Sequence, residues 1–198
     1  MIKHLLKQPT QSGLEEIEHV KFLIISRIAY FALAVHALLI PAFAHIGANT
    51  LAIVNVLSVC AWGGGIFLIN QGLTSLALRV FCLEVLIHAV VVCATLGLSA
   101  GFQFYLWTIS CILMIDYQLP LKRAAIYSFL MIITFALLYV FFAEVTYTFS
   151  YPELIPHINV INIIIAGLPM VYGIGLIREI TISQRIELTE MASRDPLT

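Results

Sequence analysis

Residues 74–98 read TSLALRVFCLEVLIHAVVVCATLGL. Apart from the hydroxyls of Thr74, Ser75 and Thr95, the run is apolar except for Arg79, Glu84 and His88. A helix that crosses the hydrocarbon core of a bilayer needs about 20 such residues. The rest of the chain agrees with this stretch: of 198 residues, 61% are hydrophobic and only 11% are charged. A water-soluble domain usually carries about 25% charged residues. So much apolar surface cannot all turn inward, and the bilayer itself must solvate part of it. The formal net charge is -1, with no basic patch of the kind that binds phosphates, which argues against a nucleic-acid partner. Cys60, Cys82, Cys93 and Cys111 all lie in apolar runs without a CxxC pair and read as small greasy helix residues.

Working outward from residues 74–98, the sequence predicts an all-α membrane protein of six transmembrane helices. These cover 22–44, 51–70, 74–98, 104–119, 124–143 and 154–177, and the fourth is the shortest. The segments between them are rich in turn formers: HIGANT, NQGLT, LSAGF, YQLPLKR and TYTFSYPELIPH. The start of the chain, 1–21, is polar with three glutamates and lacks the apolar core of a cleavable signal peptide. The ten basic residues fix an orientation. Lys3, Lys7, Lys21, Arg27, Arg79, Lys122, Arg123, Arg178, Arg185 and Arg194 all fall on one side if both termini are cytoplasmic. Basic loops stay inside, so the expectation is N-in and C-in, in the inner membrane of a bacterium. No internal repeat relates the first three spans to the last three, which weakens a transporter reading.

After Ile177 the chain becomes polar: REITISQRIELTEMASRDPLT. Residues 178–194 have helical propensity. Ile177, Thr181, Gln184, Leu188 and Met191 recur at spacings of four and three, a weak two-heptad seam suited to a switchable homodimer. Pro196 cannot extend that helix, so a new element begins at Asp195. MASRDPLT resembles the opening of a GGDEF-type diguanylate cyclase domain, with Asp195, Leu197 and Thr198 at the Asp-x-Leu-Thr positions. The resemblance covers about eight residues and no catalytic loop. It implies that 195–198 begin a cyclase domain and that the membrane part is a dimeric sensor. That sensor would regulate synthesis of cyclic di-GMP through the linker helix. The resemblance places no catalytic residue in these 198 residues.

Polar side chains within a bilayer are costly and are functional suspects by default. At about 1.5 Å per residue, His36 and His88 each lie ~21 Å from the inner ends of their spans, and Asn162 ~22 Å. These three share one level in the outer half, with Glu84 one turn below His88. Ala29, Ala32 and His36 line one face of the first span, and Ala77, Phe81, Glu84 and His88 one face of the third. Two imidazoles at one depth suit the axial ligands of a b-type haem. His36 and His88 are therefore candidate ligands of a haem iron, with Glu84 and Asn162 lining the pocket. A small membrane-soluble or periplasmic signal, or a plain interhelical hydrogen bond, fits the same residues. Glu84 is expected to accept from His88 or pair with Arg79.

His45 and His157 share a depth near the outer surface, where an interfacial role or a second haem fits. Asn55 is a further polar group within a span, and Arg79 and Asp116 are read as snorkelling near the inner surface. WGGG, 62–65, lets a neighbouring helix approach closely. Pro169 weakens the sixth span and, with Leu188 and Met191, is read as part of a signal relay. Tyr147 and Tyr151 belong to an interfacial aromatic belt. No lysine lies within a span to hold retinal. An electron-transfer protein of the six-helix b561 type is the alternative, and an ion-coupled carrier using Arg79 and Glu84 a weaker one. Neither accounts for the linker helix and DPLT, and all four of these histidines lie in the outer half.

Overall fold

The computed structural model describes residues 11–115, 119–143 and 151–194. Six α-helices follow one another: α1 Gln11–His45, α2 Asn49–Asn70, α3 Thr74–Leu96, α4 Tyr105–Ile115, α5 Leu121–Phe141 and α6 Ile155–Arg194. Among the described residues there is no strand. Five segments are long and apolar enough to cross a membrane: Ile25–His45, Asn49–Asn70, Thr74–Leu96, Leu121–Phe141 and Pro152–Gly175.

The fourth expected span, 104–119, differs. Its α-helix has 11 residues and is preceded by two 3-10 turns, Leu98–Ala100 and Phe102–Phe104. Eleven residues rise only ~16 Å, half the hydrocarbon core. The physical reason lies in GLSAG, 97–101: Gly97 and Gly101 take positive φ and break the helical path twice. At Gly101 a side chain would also run into Asn159 of α6, so only glycine permits this approach. Residues 116–118, including Asp116, lie outside the described residues.

The helices pack as two groups. α2 lies between α1 and α3, and α4 lies between α5 and α6. α3 joins the groups through α4, α5 and the 3-10 turns, and it is the most buried of the five long apolar segments. The outward faces carry side chains such as Leu38, Val140 and Val171, each about 70% exposed. An apolar face this bare suits lipid as its solvent.

Polar residues fasten the second group. Ser128 Oγ donates to Ser110 O at 2.8 Å, tying α5 to α4, and Thr108 Oγ1 donates to Ala166 O at 2.6 Å, tying α4 to α6. Such small hydroxyl residues let membrane helices approach and satisfy each other's carbonyls.

The sequence divides the chain at Ile177 into a span and a linker helix. In the structure α6 continues without interruption from Ile155 to Arg194, through Pro169. Forty residues make a rod ~60 Å long. The side chains of Leu188 and Met191, like residues 195–198, lie outside what is described. α1 likewise begins at Gln11, so part of the polar start is helical.

Candidate functional site

The first three helices share a layered pattern. One apolar cluster contains Ala29 of α1, Ile66 and Ile69 of α2, and Ala77 and Phe81 of α3. A second contains Phe43, Leu51, Ala52, Ala89 and Val92 from the same helices. Between these layers each helix contributes polar side chains: His36 from α1, Ser58 and Trp62 from α2, and Glu84 and His88 from α3.

Spacing brings them together. Ser58 and Trp62, like Glu84 and His88, are four apart and share a helix face. The approach of α2 to α3 is set by Gly65, where an added Cβ would collide with the Phe81 ring. Phe81 in turn stacks on Trp62, with centroids 4.2 Å apart and planes inclined 15°. Of the three glycines in WGGG, Gly63 and Gly64 meet nothing within 4 Å. Gly65→Ala should therefore destabilise the bundle by about 1–2 kcal/mol through overpacking. Gly64→Ala should be neutral or slightly stabilising, since Ala is the better helix former. Thermal unfolding in detergent distinguishes them, and equal melting of the two variants would contradict this packing.

At the centre lies the Glu84 carboxylate. Trp62 Nε1–H donates to its Oε2 at 2.9 Å. Its Oε1 stands 3.4 Å from His36 Nε2 and 3.6 Å from His88 Nδ1. His36 Nδ1 is 2.7 Å from Ala32 O. A carbonyl only accepts, so that nitrogen carries the hydrogen, and Nε2 of a neutral His36 presents a lone pair to the carboxylate. Ser58 Oγ lies 3.3 Å from His88 Nδ1. The two imidazoles meet edge to face, with centroids 4.9 Å apart at 83°. Glu84 and His88 are 8% and 6% exposed.

Of the residues expected to form the site, the structure brings His36, Glu84 and His88 together. Arg79 is not the partner of Glu84: among the described residues no ion pair joins them, and Arg79 is exposed and lines a separate cleft with Ser75, Leu78 and Tyr127. Asn162 belongs elsewhere too. It accepts from Tyr105 O–H at 2.9 Å and donates to Ala100 O at 2.7 Å, which fastens α6 to α4 and the first 3-10 turn. Depth along a helix locates a residue's height, not its direction around the bundle, and Asn162 turns toward α4. Asn55 donates to Leu51 O within its own helix. His45 stacks on Tyr151 at 5.3 Å, and His157 is exposed with Nδ1 3.2 Å from Glu153 O. Tyr147 lies outside the described residues.

Trp62 and Ser58 are the members that the sequence reading passed over. A signal for Trp62 was present, because tryptophan in a span usually sits at an interface. One set well inside α2 needs a buried acceptor for its N–H.

The cluster combines three donor groups of metal-binding type, whose ligand atoms all lie within 4.8 Å of one another. Axial ligation of a haem by the same two histidines would require their rings to part, since a carboxylate now bridges them. No protein family, no curated protein and no solved structure matches this chain.

Proposed function

We propose that this chain is the membrane-embedded input module of a diguanylate cyclase, with the His36–Glu84–His88 layer as its sensing element and α6 as its output. The observation that carries this reading is the unbroken α6, which runs from an apolar span to the residues just before Asp195-Pro196-Leu197-Thr198. A continuous helix passes rotation or tilt from one end to the other, and Pro169, which removes one backbone hydrogen bond, is where it bends most easily. Two such rods side by side, in a homodimer, would set the mutual placement of two cyclase domains, which must meet to join two GTP into cyclic di-GMP.

In this reading the chain lies in a bacterial inner membrane with both termini in the cytoplasm. The short α4, continued by the 3-10 turn at Phe102–Phe104, completes the sixth crossing inside the bundle. The distribution of lysine and arginine supports that orientation. The test is to express the whole reading frame in cells lacking cyclic di-GMP. The nucleotide should appear, and deleting residues 1–177 should change its level severalfold. A reading frame with no GGDEF loop beyond Thr198, or cells without the nucleotide, would end the proposal.

A further inference from the structure

We infer that His36, Glu84 and His88 bind one divalent transition-metal cation of the Zn2+ class, held without a porphyrin between α1 and α3. Three observations lead there. First, a neutral His36 and the Glu84 carboxylate turn acceptors toward each other. His36 Nε2 is a lone pair once Nδ1–H is given to Ala32 O, and Glu84 Oε1 faces it at 3.4 Å. Two acceptors at that distance repel unless a proton on Nε2 or a metal cation stands between them. Second, the cluster leaves an unsatisfied atom between the two imidazoles. Glu84 Oε1 is buried and makes no hydrogen bond. Buried polar atoms almost always have a partner, and more so where the surroundings are lipid-like.

Third, the spacing suits a small ion. A tetrahedral cation with arms of about 2.0–2.1 Å holds its donor atoms about 3.3–3.4 Å apart. The two N···O separations are 3.4 and 3.6 Å. Two imidazoles and a carboxylate are ligands for zinc-like ions, and three protein ligands leave one coordination position open.

The surroundings are those of a metal site. The Ala32 carbonyl orients His36 through its other ring nitrogen, and Trp62 Nε1–H holds Glu84 Oε2 so that Oε1 turns to the histidines. Contacts of this kind commonly orient metal ligands and raise their basicity. The third side of the triangle, from His36 to His88, lies within 4.8 Å, and the two rings must close by up to about 1.4 Å to reach tetrahedral spacing. The signalling use of the ion rests on the reading proposed above; its binding does not.

The experiment uses the tag-free chain in nanodiscs, stripped with chelator and titrated with Co2+ as a coloured stand-in for Zn2+. One Co2+ per chain should bind with visible d–d bands of a four- or five-coordinate ion, and added Zn2+ should displace it. His36→Ala, Glu84→Gln and His88→Ala should each weaken binding by about 100-fold, and Trp62→Phe by about 10-fold. His45→Ala and His157→Ala should leave it unchanged. X-ray absorption of the Zn2+ form should show two imidazole nitrogens and one oxygen at about 2.0–2.2 Å. Glu84→Gln keeps an acceptor for Trp62 and is the variant most certain to fold. Should it melt like the native protein and still bind Co2+ with native affinity, the site is refuted. Absence of the bands in the native chain refutes it as well. A failed cyclase test with intact Co2+ binding would overturn the signalling role alone.

Discussion

Glu84→Leu should destabilise the bundle by about 2–3 kcal/mol, more than any one of the other cluster substitutions. The reason is an asymmetry. The leucine fills the volume but leaves Trp62 Nε1–H without its acceptor at 2.9 Å and abandons both imidazoles in an apolar layer. An orphaned buried donor costs about 1–3 kcal/mol, moderated in membranes because the less folded state also finds partners. Removing the whole set, with His36→Leu, Trp62→Phe, Glu84→Leu and His88→Leu together, should recover most of that loss. Of the layer only the Ser58 hydroxyl then remains, and a helical serine can turn to the carbonyl four residues back; well-packed apolar side chains often match a buried polar network in stability. Reversible unfolding in mixed micelles measures both variants. If the quadruple variant is as unstable as the sum of its parts, the cluster is not a single coupled unit.

Inserting residues into α6 between Thr181 and Leu188 should have the largest effect on signalling in the full reading frame. Each added residue turns the helix by about 100° and lengthens it by about 1.5 Å. Two alanines therefore rotate everything beyond the insertion by about 200°, away from its original seam. Seven residues return the seam to within about 20° of its register. The two-residue insertion should reduce cyclic di-GMP about tenfold, equivalent to a shift of ~1.4 kcal/mol between output states. The seven-residue insertion should restore it to within about twofold of the native level. Equal output from both would show that α6 is a passive tether, whatever the membrane part binds.

Much of the site was legible from particular residues. Glu84 and His88 lie on the Ala77–Phe81 face by spacings of four, three and four, and all four of these side chains are buried. His36 follows Ala29 and Ala32 on its helix, and it does meet His88. Asn162 shows where this kind of reading stops. It matches the others in depth, yet its hydrogen bonds go to Tyr105 and Ala100. Trp62 was legible only as part of a close-packing motif, because nothing local says which carboxylate its N–H will find. The fourth span is shorter than expected for a local reason: Gly97, directly after α3, and Gly101, directly before Phe102, allow turns that apolar content conceals.

By itself, the sequence determined that the chain is helical and apolar enough to cross a membrane several times, where most helices begin and end, and which faces carry the unusual polar groups. Those properties follow from hydrophobic content and from the 3.6-residue period, both of which act along one helix at a time. Only the tertiary structure decided that Trp62 and Ser58 complete the His36–Glu84–His88 layer and that Asn162 and Arg79 do not. It also decided that the last span and its tail form one rod. Which helix stands beside which, and at what rotation, depends on contacts such as Gly65 against Phe81 between segments distant in the chain. Such contacts have no signature in either segment alone.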